Sequence, residues 1–427
     1  MERALLSILL SSFVTPFSLS ALSVALPVLA RDLGTPPSEA IALLVVLTLT
    51  VAAFVMPFGR LADVLGYVRV FKTGLGIAAA GLVAAALSPH MTLLYTSLAI
   101  TGIGLAAVFG SNNALLFQIV PPERRATAVG LNSTSVYIGL VAGPVVGGFL
   151  TQVSWRLAFL PAVVIAAISY LLIGKTPLSK SPTSSLDVVG SALFAASVII
   201  TIIGIDAGAW HIAVLGAAGL AATFVLELNR RDPVIEVRLF RNVVFTASVA
   251  AAFLNYLSTA ALSPSLSLLF QEAYSMPARE AGMLLSIQAI AMATLAPVAG
   301  RLSDKTSPSA VAAAGASLLA ASLYAFSQAP APSTAPLLLF LIGVGFALFI
   351  VPNTTLVLSS VPPSRRGMAS ALVAEARVLG QSVSNAVASY YLKNATSVSA
   401  GVTALLALLA YLSLITAFLS LARGLSH

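Results

Sequence analysis

The sequence predicts an all-α membrane protein with fourteen transmembrane helices. Three observations lead there: the composition, the recurrence of long apolar runs, and the uneven placement of charge between them. Of 427 residues only 8% are charged while 59% are hydrophobic, and the mean hydropathy is +1.00. Soluble domains carry about 25% charged residues, so this chain cannot cover a water-soluble globule and its solvent is lipid. It contains no cysteine, which excludes disulfides, thiolate zinc sites and cysteine nucleophiles.

A membrane-spanning helix needs about 20 mainly apolar residues. Such runs lie at 4–30, 40–58, 70–88, 91–120, 126–150 and 157–173, then at 187–205 and 211–227. Six more follow at 243–270, 281–300, 310–326, 337–359, 367–392 and 400–421. The first is too long for the apolar core of a signal peptide and reads as a span. With a cytoplasmic amino terminus, the outer segments hold only Arg31, Arg156, Arg279 and Lys393, and Arg377 lies within a span. The other seventeen of the 22 basic residues fall on the inner side. This bias predicts a multi-pass cell-membrane protein with both termini cytoplasmic. The net charge of +8 is scattered in ones and twos, so it reports orientation and not a nucleic-acid partner.

"VPPERRATA" at 120–128 returns as "VPPSRRGMA" at 361–369, an offset of 241 residues. The same offset carries "GRLAD" at Gly59 onto "GRLSD" at Gly300, Gly102 and Gly104 onto Gly343 and Gly345, Asn112 onto Asn353, and Gly139 onto Gly380. One register kept over so many positions marks an internal duplication. The offset covers eight spans, an even number, so both copies face the same way. The predicted domains are a six-helix bundle at 1–175, two additional helices with a cytoplasmic loop at 176–242, and a second six-helix bundle at 243–427. In each PP-x-RR turn the prolines end a helix, and the arginines hold that end at the anionic inner surface.

"GRLADVLGYVRV" at 59–70 resembles motif A of the major facilitator superfamily, and "GLVAGPVVGG" at 139–148 is similar to its antiporter motif C. "LDVVG" at 186–190 and "DPVIEVRLFRNVVF" at 232–245 resemble the segments flanking the extra helices of the 14-helix drug:proton antiporter branch. The resemblance implies the major facilitator fold and a conformational role for Gly59, Asp63 and Gly66 in stabilising the outward-facing state. It also implies an acidic residue in helix 1 and an arginine in helix 4 for proton coupling. Ser18 and Leu98 stand at those positions, so the usual relay is altered.

The residues carry their own physical reading. Gly59 lets two helix ends approach, and Asp63 either caps the following helix or latches one half against the other. Gly139, Gly143 and Gly147 recur every four residues and form a smooth packing stripe; Gly148 completes the motif, and Pro144 bends the helix. Glu375 and Arg377 lie roughly 12 Å inside helix 13 at 1.5 Å per residue. A charge so deep faces a cavity or a partner, and residues two apart point in nearly opposite directions. Arg377 suits a structural partner on another helix. Glu375 is the candidate proton carrier, with a structural hydrogen-bonding role as the alternative.

By analogy with the family, helices 1, 4, 9 and 12 line the cavity, where Ser18, Ser20, Ser23, Asn112, Asn113, Asn255, Tyr256 and Asn353 are the uncharged polar candidates. Each asparagine has the alternative of tying helices together. "GKT" at 174–176 lacks the first glycine of a nucleotide-binding loop, since Ser169 occupies its place. His90, His211 and His427 are far apart, so no metal site and no cofactor is expected, and the chain is not an enzyme. The expected function is secondary transport in a lipid bilayer, as a monomer: proton-coupled efflux of hydrophobic or weakly cationic small molecules by alternating access. The alternative is a facilitator or importer of a small metabolite.

Overall fold

The computed structural model describes residues 2–121, 124–174, 187–228, 236–362 and 365–424. The first bundle comprises α1 (Glu2–Asp32), α2 (Pro37–Leu65), α3 (Tyr67–Ala86), α4 (Met91–Ile119), α5 (Arg125–Val153) and α6 (Leu160–Ile173). A hairpin of α7 (Val188–Asp206) and α8 (Trp210–Glu227) follows. The second bundle holds α9 (Val243–Leu257), α10 (Leu262–Leu268), α11 (Ala278–Lys305), α12 (Pro308–Gln328), α13 (Ala335–Ser359), α14 (Arg366–Asn394) and α15 (Val398–Ala422). Fourteen spans result, because α9, α10 and a π-turn at Leu269–Ala273 together make the ninth.

That ninth span is broken where the sequence predicted one continuous helix. Ser258 and Thr259 turn their hydroxyls onto Asn255 O at 2.9 and 2.7 Å, and Ala261 N donates to Ser384 Oγ at 3.0 Å. Pro264 brings no backbone donor of its own. Among the described residues thirteen helices are long and apolar enough to cross a membrane. The fourteenth, α14, falls outside that set because it carries Glu375, Arg377, Asn385 and Lys393.

The duplication is physical as well as sequential. α1 packs on α5 and α6 as α9 packs on α14 and α15, and α3 packs on α4 as α12 packs on α13. A Cβ at Gly104 would lie 2.7 Å from Gly74 O, and one at Gly345 would lie 2.8 Å from Gly315 O, the same contact one offset later. The PP-x-RR turns share a device too. Arg125 donates to Phe117 O at 2.9 Å and Arg366 to Leu358 O at 3.1 Å, each reaching back eight residues. Those carbonyls are the orphans of a helix C-terminus, so each arginine offsets its negative end.

The bundles meet along two seams, α5 with α11 and α2 with α14. The α7–α8 hairpin lies on the second, where Lys393 Nζ reaches Asp206 Oδ2 at 2.9 Å. An even number of spans puts both termini on one face, called here the terminal face. The opposite, far face is closed: Gln271 Nε2 donates to Val24 O at 2.9 Å, and Arg31 pairs with Glu272 at 3.6 Å. A Cβ at Gly148 would lie 2.7 Å from Ala278 O. On the terminal side, Gly130 of α5 and Gly367 of α14 have no neighbour within 4 Å of where a Cβ would stand. The bundles are joined at the far face and parted at the terminal face.

Candidate functional site

The far-face junction depends on α5. Its stripe of Gly139, Gly143 and Gly147 lies on α1, with Cβ positions 2.7 Å from Phe13 O, 2.9 Å from Phe17 O and 2.7 Å from Ala21 Cα. Pro144 and Gly148 face the other bundle instead, since a Cβ on Gly282 of α11 would collide with Pro144 O. One helix thus touches its own bundle through the every-fourth glycines and the opposite bundle through the remaining two motif positions. Gly282 carries no sequence signal, because its role exists only once α11 crosses α5.

At the terminal end of α2, Asp63 accepts from the Tyr67 hydroxyl and pairs with Arg60 at 3.4 Å. Among the described residues no backbone N–H of α3 donates to it, so its partners are the Tyr67 hydroxyl and the Arg60 guanidinium instead of the helix end. Gly66 is required by its φ of +96°. The close approach of α2 to α4 needs Gly110 more than Gly59. A Cβ on Gly110 would lie 2.8 Å from Gly59 N, whereas one on Gly59 would sit at an ordinary 3.5 Å from Gly110 O.

Deep in the second bundle, the Arg377 guanidinium lies 5.9 Å from the Tyr256 ring centre and donates through Nη2 to Thr354 Oγ1 at 2.8 Å. Tyr256 is held edge-on to Phe346, with centroids 5.5 Å apart. Tyr137 of α5, half-buried, lines a cleft that Ala293 of α11 borders. It was not among the predicted residues, and its only sequence signal is a lone polar aromatic in an otherwise small-residue helix. Glu375 lies on another strip of α14. Eighteen residues, five full turns, separate it from Lys393, which faces α7. Glu375 is 5% exposed, and neither carboxyl oxygen has a hydrogen-bond partner among the described residues.

The predicted cavity residues divide. Ser18 is buried with its hydroxyl on Val14 O at 2.8 Å, and Ser20 and Ser23 likewise bond back onto α1. Asn112 donates to Ser12 Oγ at 2.7 Å, which in turn donates to Asn132 Oδ1 at 2.6 Å, so it ties α4 to α1 and α5. Asn113 is exposed. Asn255 is fully buried with both amide atoms unpartnered among the described residues. Asn353 is enclosed in the second bundle, where it accepts from Arg423 and donates to Ser248 O at 3.1 Å. Arg423, 2% exposed, also donates to Ser248 Oγ at 3.0 Å. Asn353→Ala is therefore expected to lower stability by about 2–4 kcal/mol, since it strips a partner from a buried cation, with cargo selection unchanged. A thermal melt together with a competition assay checks both halves of that statement.

The model of the Major Facilitator Superfamily matches residues 8–229 and 248–425. The uncharacterized transporter YebQ of Escherichia coli (strain K12) is 28% identical over 95% of this chain and 93% of its own. The riboflavin transporter RibZ of Clostridioides difficile (strain 630) is 26% identical over 88% and 84%. The multidrug export protein EmrB of Escherichia coli (strain K12) is 25% identical over 88% and 77%. A solved POT family transporter, in complex with a thioalcohol-conjugated peptide, superposes with a TM-score of 0.77 at 14% identity, covering 99% of this chain and 96% of that one. Fold, duplication and family match agree, and the chain belongs to the major facilitator superfamily of membrane transporters.

Proposed function

We propose that the chain is a proton-coupled exporter of hydrophobic small molecules. It works by alternating access between the bundles at 1–175 and 243–427, with the segment at 176–242 riding as a separate hairpin. The observation that carries this reading is the asymmetry of the two ends: glycine-to-backbone contact at the far face, open space at the terminal face. Exchange of that asymmetry would carry a cavity's contents across the bilayer. One chain supplies both halves of the cavity, so the working unit is a monomer, and the charge bias puts both termini in the cytoplasm. Multidrug export by a relative 25% identical over 88% of this chain supports the direction.

Glu375 is the proposed proton carrier. It is the deep carboxyl of the spans and can alternate between charged and neutral forms with no fixed partner to oppose the change. Arg377 is the deep charge beside Tyr256 and Thr354, which argues against cationic cargo. In proteoliposomes loaded with a hydrophobic fluorescent compound, an imposed ΔpH is expected to drive transport against the compound's gradient. Counterflow that ignores ΔpH would instead identify a facilitator, the reading favoured by Ser18 and Leu98 at the usual coupling positions.

A further inference from the structure

The side of α14 that bears Glu375 carries a polar run. At about 100° per residue, Glu375, Ser382, Asn385, Ser389 and Lys393 fall within an arc of about 80°. Arg377, Gly380 and Ser384 point the other way, to the ninth span. The polar strip faces α2 and α7, since Asn385 Nδ2 donates to Thr48 Oγ1 of α2 at 3.4 Å and Lys393 Nζ to Asp206 Oδ2 of α7 at 2.9 Å. Ser382, Asn385 and Ser389 are buried, yet Ser382 Oγ, Asn385 Oδ1 and Ser389 Oγ have no hydrogen-bond partner among the described residues. A helical serine can turn its hydroxyl back onto a carbonyl of the preceding turn, as Ser18 and Ser23 do here. On this strip the hydroxyls stay available to a ligand as small as water.

The run has a direction. From Ser382 to Lys393 a polar group recurs every three or four residues, roughly 5 Å of rise each, and Asp206 at the mouth keeps its Oδ1 without a partner among the described residues. Toward the terminal face the same strip continues as the apolar Ala371 and Met368. α2 has no titratable side chain between Glu39 and Arg60, and α7 has none between Asp187 and Asp206. Of the other helices packed on α14, α9 brings Tyr256, on the Arg377 side, α15 brings Tyr411, which is 63% exposed, and α13 brings none. Glu375 is therefore the proton acceptor to which the run leads, and α7, packed on both α2 and α14, walls the run off from acyl chains. We propose that the α2–α14 seam is a proton route separate from the cargo cavity, in which water held by Ser389, Asn385 and Ser382 carries protons from the Asp206–Lys393 mouth at the far face to Glu375. Each serine hydroxyl accepts a proton from the water on its far side and releases its own to the next, so the sum is one proton moved from far-face water to the Glu375 carboxylate. Seven residues, roughly 10 Å, part Ser382 from Glu375. Val378 lies between them, and about three waters at hydrogen-bond spacing fill that stretch when the seam parts. The proposal rests on Glu375 being the proton carrier and adds the path by which it is loaded.

Infrared difference spectroscopy of the full chain in oriented proteoliposomes tests it without any cargo. With the far face outward, the outer medium is acidified and the growth of the Glu375 carboxyl band is followed, Glu375→Gln assigning that band by its loss. Ser382→Ala and Ser389→Ala remove hydroxyls that have no partner among the described residues, so both variants should keep their melting temperature. Together they are expected to slow loading from the far face at least about tenfold, and each alone about threefold, the scale of a lost relay hydrogen bond. Acidification at the terminal face, in vesicles of reversed orientation, should give the same rate in the variants as in the unaltered chain. Ser384→Ala, on the opposite side of α14, should change neither rate. Far-side loading at the unaltered rate in the doubly substituted protein overturns the route and leaves Glu375 as the carrier. Equal slowing from both sides does the same, as does slowing by Ser384→Ala as large as by the pair. A Glu375 band that never responds to pH removes the carrier and the route together. Either single variant carries the test if the pair does not fold.

Discussion

Gly282→Leu is expected to reduce transport at least about tenfold while leaving the protein folded. A Cβ there would lie 3.0 Å from the Pro144 carbonyl carbon and closer still to its oxygen, and leucine adds three further carbons. Overpacking of this kind costs about 1–3 kcal/mol, and the whole cost falls on the state in which α5 and α11 touch. Each 1.4 kcal/mol is about a tenfold change in the equilibrium between states. The far face should therefore open. The chain has no cysteine, so a single Ala278→Cys reports this without further engineering, since Ala278 is 5% exposed at the junction. Its labelling by a membrane-impermeant maleimide should rise about tenfold in the Gly282→Leu background. Unchanged labelling with normal transport would show that the junction does not govern access.

Glu375→Gln should abolish ΔpH-driven transport, by at least about tenfold, and leave counterflow within about twofold. The amide keeps the size of the carboxyl but cannot take up and release a proton. A charge at this depth costs at least ~2.5 kcal/mol, so the carboxyl's charge state and the surroundings it meets in each conformation are coupled. A structural role predicts the opposite split: lowered stability and slowed counterflow, with ΔpH still effective. Persistence of ΔpH-driven accumulation in a folded Glu375→Gln would remove Glu375 from the coupling step.

Much of this was legible in the sequence because it depends on one helix at a time. Apolar runs locate spans whatever their neighbours, and glycines every fourth residue put a smooth stripe on α5 before its partner is known. The offset of 241 residues foretold that Gly104 and Gly345 make matching contacts. The spacing of Glu375 and Arg377 already set them on different faces. Which of the two meets Tyr256 was not legible, nor that Asn353 would be taken up by Arg423 while its counterpart Asn112 binds Ser12. The break in the ninth span escaped for the same reason: Ser384, which receives the Ala261 N–H, comes from another helix.

By itself, then, the sequence determined the solvent, the number of crossings, the duplication and the faces of individual helices, since these follow from hydropathy and the 3.6-residue turn acting locally. The tertiary structure decided which faces look at each other. It brought Gln271 to Val24 and Gly282 to Pro144, and it laid α7 along the α2–α14 seam. Those contacts join residues more than a hundred positions apart, where close packing between helices, and no periodicity within one, selects the partner.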